Sequence, residues 1–323
     1  MPQLNLIKGH GCGVDVLVID AAPAAVDESG LELLVRRLCD RRGPVGAEAV
    51  YFVDDALVQP EVWCFGPEGR AGRGSFYGIG VVGRVLLDRR GVETVAIRLG
   101  ADRFVVRRSE DSAEGARRVS VEGPGVDFRG SRGEVVGRVV PAFDELRSVT
   151  AVAVPEPQFV SVVGRYDEDE LIGVARRVAA DRGSFPDRPD VSFLMPLAEA
   201  DEVFVRTYEY GVGVSRSSAA GVVAARAAYS RLGVVPAETS VLVRTPGGPV
   251  RATLRVEGTG WLPVLEANAT LTYDAVVDAE LLAATRPIAL DLQANVGEVM
   301  AYAALRSANA RALEAAGVRY SAP

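Results

Sequence analysis

GIGVVGRVLLDRRGVETVAIRLG, residues 78–100, can be laid on AAGVVAARAAYSRLGVVPAETSVLVRTPG, residues 219–247. Matching Gly80-Val81-Val82 to Gly221-Val222-Val223 aligns two helical patterns, Gly80–Arg90 and Gly221–Leu232. Each is ended by a glycine, Gly91 or Gly233, and followed by a strand pattern. The shared letters are few and Val-rich helices resemble one another by chance, but the matching helix–Gly–strand order favours an internal duplication. On this alignment Tyr77 and Ser218 are equivalent, each just before a helix. Two such helices facing a common cleft would aim unpaired N–H groups at one small anion, from Gly78, Ile79 and Gly80 on one side and Ala219, Ala220 and Gly221 on the other.

Outward from these segments, strand patterns outnumber helical ones, too many for a doubly wound α/β fold. The first half shows strands at Leu4–Lys8, Val14–Ile19, Ala49–Val53, Val62–Phe65, Thr94–Arg98 and Phe104–Arg108, with a further helix at Leu31–Arg42. The second half shows strands at Val149–Val154, Phe159–Val163, Val191–Met195, Val203–Thr207, Val241–Arg244, Val250–Val256 and Leu271–Tyr273, with a helix at Leu171–Asp181. The spacing predicts an α+β protein of two pseudo-symmetric halves, 1–147 and 148–282. Each is a curved, mostly antiparallel sheet around a central helix. A C-terminal extension, 283–323, carries a last helix at Val296–Ala315.

Composition narrows the function. Among 323 residues, 48% are hydrophobic and 24% charged, which suits a globular core. The 36 basic residues against 43 acidic ones give a net charge of −7, which offers no long-range attraction to nucleic acid or to an anionic membrane surface. Apolar runs such as Val16–Ile19 and Ala219–Ala225 fall far short of the roughly 20 residues of a membrane span. No charged leader precedes an apolar stretch at the N-terminus, so the expected location is cytoplasmic. The three cysteines, Cys12, Cys39 and Cys64, and the single histidine, His10, suit neither a disulfide framework nor a metal site. Lys8 is the one lysine, the sole candidate for a Schiff base. No metal and no cofactor are expected.

Several motifs in their order resemble the diaminopimelate epimerase family. Lys8-Gly-His-Gly-Cys-Gly-Val-Asp15 is similar to the family's opening His-Gly-x-Gly-Asn-Asp run. Phe185-Pro-Asp-Arg-Pro-Asp-Val-Ser-Phe193 looks like its phenylalanine–proline segment, Thr207-Tyr-Glu-Tyr-Gly-Val-Gly213 like its Tyr-Glu-Arg-Gly-Val-Gly motif, and Thr245-Pro-Gly-Gly248 like its late hairpin. The resemblance spans roughly residues 4–280. It implies a cleft between the halves and cofactor-independent proton transfer at a carbon next to a carboxylate.

The family's two cysteine turns correspond here to Tyr77-Gly78-Ile79-Gly80 and Ser218-Ala219-Ala220-Gly221, without either thiol. Its substrate-binding asparagines correspond to Val14, Gly66, Glu156 and Asp190, and its Glu-Arg pair to Glu209-Tyr210. Diaminopimelate is therefore not the expected substrate. A thiol titrates near 8.5 and a tyrosine near 10, so Tyr77 and Ser218 make a poor pair of bases. Glu209 heads the candidates for acid or base, although an exposed strand carboxylate fits the same letters. His10 suits acid/base work by its intrinsic pKa and equally suits a loop histidine bonded to backbone. Asp15, Glu156, Gln158, Asp190, Tyr210 and Arg216 complete the expected binding residues. Burial there would raise a carboxyl's pKa. Cys12 stands where the family has an apolar residue, which favours packing.

The expected activity is isomerase- or epimerase-like, on a small carboxylate of specialised metabolism. A repurposed lyase or cyclase, or a non-catalytic relative that binds a metabolite or partner, is the alternative. Phenazine-biosynthesis isomerases share the fold and lack the cysteine pair, but their Asp-Pro-x-Thr-Gly string is not found here. Whether the last helix closes the cleft or builds a homodimer is open. Gly78-Ile-Gly-Val-Val-Gly83 satisfies G-x-G-x-x-G, but Asp102 is not placed to end the next parallel strand of a dinucleotide site.

Overall fold

The computed structural model describes residues 3–20, 28–43, 45–130, 133–199, 201–278 and 291–321. They gather into two compact units, Met1–Val121 with Ala267–Leu305, and Glu122–Glu266 with Arg306–Pro323.

Unit 1 begins with β1 (Gln3–Gly11), β2 (Val14–Ile19) and α1 (Glu28–Cys39), then β3 (Ala49–Asp54), β4 (Glu61–Phe65) and the short β5 (Ala71–Gly72). It continues through α2 (Phe76–Arg90), β6 (Thr94–Leu99) and β7 (Asp102–Ser109). β1 pairs antiparallel with β2, β2 parallel with β3, β3 antiparallel with β4, β4 parallel with β6, and β6 antiparallel with β7. β5 returns antiparallel against β4.

Unit 2 repeats this strand for strand. It comprises β8 (Ser148–Val154), β9 (Glu156–Val162), α3 (Glu168–Ala180), β10 (Asp190–Pro196), β11 (Glu202–Glu209), β12 (Gly213–Val214), α4 (Ala219–Arg231), β13 (Val241–Thr245) and β14 (Gly248–Glu257). The pairings β8–β9, β9–β10, β10–β11, β11–β13, β13–β14 and β11–β12 have the same senses in the same order. The duplication therefore holds at the level of topology.

The helices divide the labour by burial. α1 and α3 are one-sided: Leu31, Leu34, Val35 and Leu38 face the sheet in one, Leu171, Val174, Ala175 and Val178 in the other. α2 and α4 are apolar all round and buried along most of their length. α2 packs on β1, β2, β3, β6 and β7, and α4 on β8, β9, β10, β11 and β14, so each is the core of its own unit. Small residues permit this closeness: a Cβ on Gly83 would lie 2.5 Å from Val106.

The compact units differ from the expected halves in where the chain divides. β15 (Gly260–Asn268) follows β14 antiparallel, but β16 (Thr270–Asp278) pairs with β1, so the end of the expected second half returns to unit 1. The first break falls after Val121 and not after residue 147, and the expected break after 282 lies outside the described residues. β17 (Asp291–Ala294) pairs with β16. The last helix, α5, runs over the expected Val296–Ala315, with its residues up to Leu305 grouped in unit 1 and the rest in unit 2.

Candidate active site

In unit 2 the candidate side chains collect where α4 begins. Ser218 is the N-cap: its backbone is extended, its Oγ accepts from Gly221 N at 3.2 Å, and its carbonyl accepts from Val222 N. Of the first-turn donors named from sequence, Gly221 is therefore already satisfied. Ala219 and Ala220 precede the first intrahelical bond and are the donors left for a ligand. Gly221 has no room for a side chain, since a Cβ would sit 2.1 Å from Thr207 Oγ1 and 3.0 Å from Ser192 Oγ. Those two hydroxyls are hydrogen-bonded to each other at 2.8 Å across β10 and β11.

Glu209 ends β11, and the turn beyond it folds back through Gly211 (φ 80°) and Gly213 (φ 107°), left-handed conformations that favour glycine. That return pairs Gly213 with Glu209 and brings Ser215 N to the Thr207 carbonyl at 3.1 Å. Burial pushes the Glu209 carboxyl above its ordinary range. Hydrogen bonds donated by the Ser215 and Ser218 hydroxyls oppose the rise, and the nearby charges of Asp190 and Glu156 add to it. Glu209 is thus no exposed strand carboxylate.

Asp190 is also raised by burial, against hydrogen bonds from Tyr210 N at 2.7 Å and Gln158 Nε2 at 2.8 Å. Gln158 is fully buried and its Oε1 has no partner. Tyr210 lies under the Arg188 guanidinium, 5.3 Å from ring centroid to Cζ. Arg216, half-buried, accepts Gly247 N at its carbonyl. Unit 2 thus assembles Glu156, Gln158, Asp190, Glu209, Tyr210 and Ser218 around one helix start. It adds Ser192 and Thr207, whose signal in the sequence was only their alternation along the strands that carry Asp190 and Glu209, and Ser215, which lies just past the return strand β12.

Unit 1 is different, and several expectations need correction there. Tyr77 is not ahead of the helix. It is the second residue of α2, buried against β1, where a Cβ on Gly11 would lie 2.8 Å from the Tyr77 Cβ. The cap is Ser75, whose Oγ accepts from Gly78 N at 3.0 Å and whose carbonyl accepts from Ile79 N at 2.9 Å. Gly78 and Ile79 thus have partners in their own unit, and Gly80 is inside the helix beside Val119 and Val121, so this trio is not an anion site. Ser75 was missed because the match rested on Val-Val. The shared spacing is Ser75-x-x-Gly78 and Ser218-x-x-Gly221.

Asp15 is taken up in an ion-pair cluster of unit 1. Its carboxylate takes both terminal nitrogens of Arg41 at 2.6 Å and Lys8 Nζ at 3.0 Å, and these cations hold its pKa down against the opposing effect of burial. His10 lies in β1 and not in a loop, opposite Asp15, with its ring 4.2 Å from that of Tyr302 and Asn268 Nδ2 3.4 Å from Nδ1. Cys12 is buried in a tight turn (φ 50°), its N–H donating to Asn268 Oδ1. Among the described residues no group of His, Cys, Asp and Glu could hold a metal ion, and no helix is long and apolar enough to cross a membrane.

No family model matches the chain. A diaminopimelate epimerase of Desulforudis audaxviator is 31% identical over 262 residues, covering 76% of this chain and 89% of the relative. Among solved structures, a phenazine biosynthesis protein of the PhzF family from Bacillus anthracis superposes with a TM-score of 0.61 at 14% identity, covering 86% of this chain and 100% of its own. A hydroxyproline epimerase from Agrobacterium vitis, with bound trans-4-hydroxy-L-proline, gives 0.56 at 15% identity and covers 86% and 92%.

Proposed function

We propose that this chain, which belongs to the diaminopimelate epimerase family, is a cofactor-independent isomerase that moves a proton on a small carboxylate other than diaminopimelate. The observation that carries the reading is the half-buried Glu209 carboxyl at the start of α4, flanked by Ser215 and Ser218, with its proton affinity raised by desolvation. A general base works best when its pKa approaches the working pH, and burial beside two other carboxyls shifts Glu209 in that direction.

In this reading the substrate carboxylate accepts from the N–H groups of Ala219 and Ala220, where the helix dipole adds positive potential. Glu209 takes the proton from the adjacent carbon. The electron pair moves into the carboxylate, whose growing charge the same donors stabilise. In an unsaturated substrate the protonated Glu209 then delivers the proton to another carbon of the conjugated system, so that one C–H bond breaks, one forms and the double bond moves. Ser215 and Ser218 hold the carboxyl in place, while Asp190 fixes Gln158 and the backbone of Tyr210. A bound hydroxyproline in the Agrobacterium vitis relative supports a ligand of this size and charge.

The test is solvent exchange. The full chain is incubated in D₂O with small carboxylates, hydroxyproline and diaminopimelate among them, and deuterium incorporation is followed by mass spectrometry. Exchange into a carboxylate other than diaminopimelate, lost in Glu209→Gln, is expected. Exchange that survives the substitution removes Glu209 from the role.

A further inference from the structure

The two faces of β9 have different tasks. Gln158 is in register with Asp190, and the alternation that continues through Ser192, Thr207 and Glu209 puts them all on the α4 side of the sheet, where Gly221 meets Ser192 and Thr207. Pro157 and Phe159 point the other way, and Phe159 joins the apolar cluster that α3 covers. On that side they stand directly opposite Ala153 and Ala151 of β8. Two alanines leave the face short of side-chain volume. The result is a cavity of about 370 Å³, with these four residues as its floor and Phe185 and Val140 among its walls.

Size, lining and charge together define what fits. An apolar cavity of ~150 Å³ holds one benzene and ligand pockets begin at roughly 300 Å³, so this one has room for a molecule of about two rings. Its side is aromatic: Phe159 meets Phe185 edge to face with 5.4 Å between ring centres, and Phe143 in the same manner at 5.8 Å. A flat aromatic guest extends that row. The charged residues described in the lining are Asp127, Arg129 and Asp187, two carboxylates against one guanidinium, and Asp127 already takes Arg129 Nε at 3.2 Å. Such a rim disfavours an anion.

The wall is preformed. Arg188 has a φ of 50°, and with that turn its guanidinium lies over Tyr210 while Asp187 and Pro189 stay on the cavity. A positive φ ahead of a proline is a strained conformation, and the Arg188 N–H holds it by donating to the Phe185 carbonyl at 3.2 Å. The C-terminal residues are already engaged elsewhere: Tyr320 stacks on Phe204, and the Ser321 carbonyl accepts from Arg206.

We propose that this cavity is a second binding site, on the face of the unit 2 sheet opposite to Glu209, for an uncharged aromatic molecule of about two rings. It needs nothing from the role given to Glu209.

The probe is 6-propionyl-2-dimethylaminonaphthalene, an uncharged two-ring dye whose emission moves to shorter wavelength when it leaves water. Titrated into the full chain, it should bind saturably, one per chain. Ala151→Leu and Ala153→Leu fill the floor, and each should weaken binding about tenfold or more. Neutral 2-naphthol should displace the dye at concentrations about tenfold below those of naphthalene-2-sulfonate. Absence of saturable binding, binding that either variant leaves unchanged, or equal displacement by the sulfonate would overturn the proposal. Where a variant loses the wild-type circular dichroism, wild type alone decides by hydrogen exchange and mass spectrometry. The dye should then slow exchange in segments 151–159 and 184–189, and protection confined to other segments overturns the proposal equally.

Discussion

Unit 1 and unit 2 share strand order, a serine cap and a helical glycine packed against a strand hydroxyl, yet they treat their half-buried acids in opposite ways. Asp15 sits between Lys8 and Arg41, and its proton affinity is lowered. Glu209 and Asp190 are given hydroxyls, amides and each other, and theirs is raised. The first arrangement locks a charge in place as structure. The second keeps a carboxyl close to accepting a proton. The backbone of the repeat persists because buried helices need caps and small contact residues, while the strand positions facing α2 and α4 are free to diverge.

The largest effect that would break this contrast is on chemistry. Glu209→Gln should reduce deuterium exchange by about 10²–10⁴-fold, the usual contribution of a general base. Carboxylate binding measured by calorimetry should stay within about tenfold, or ~1.4 kcal/mol. Asp15→Asn should leave exchange unchanged, and a matching loss there would erase the distinction between the units.

Packing comes next. Gly78→Ala and Gly221→Ala each force a methyl into an occupied hydroxyl and should cost ~1–3 kcal/mol in denaturant unfolding. Gly78→Ala should cost more, because three atoms of the Tyr51 phenol lie 2.1–2.6 Å from the added Cβ and cannot rotate away as a threonine hydroxyl can. Wild-type stability in either variant would show that the caps are not held alike.

Stability against pH sharpens the comparison further. The pKa of Glu209 in the fold lies above its ordinary 4.5, so its stability contribution is full below that value and declines as pH rises through the raised one. Asp15 behaves oppositely: its contribution is present above 3.8 and lost as pH falls through its lowered pKa. Thermal melts should therefore show Glu209→Gln more stable than wild type at pH 8 and converging with it near pH 4. Asp15→Asn should be less stable at pH 7 and converge toward wild type near pH 3. The smallest effect belongs to Gly66→Glu. A Cβ at Gly66 meets nothing within 4 Å, so stability should move by no more than ~0.5 kcal/mol.

The central helices, their glycine stops and most strands could be read from the sequence because burial and periodicity are local signals. Glu209 could be picked out because a resemblance pointed to it. Its environment could not, since Ser215 reaches it through a turn and Asp190 through a neighbouring strand. Tyr77 was misassigned by two residues: Val81-Val82 and Val222-Val223 look alike, but the cap geometry aligns Gly78 with Gly221. Asp15 reads as a free carboxylate until Arg41, across a helix and its loop, is brought beside it. The break between units was hidden for a related reason, because β16 belongs with β1 and nothing in either strand announces a partner so distant.

That pairing of β16 with β1 also sets an order of events in synthesis. β1 has β2 on one side and β16 on the other, so a chain emerging from the ribosome has β1 and β2 long before residues 270–278 exist. Throughout that interval the outer rim of β1 offers unpaired N–H and C=O groups, a template for any other extended segment nearby. Closing the ring of contacts around unit 1 must wait for a strand made after nearly all of unit 2, and contacts so remote in sequence form slowly. β1 is thus made long before its partner β16 and is among the last strands of its unit to be completed.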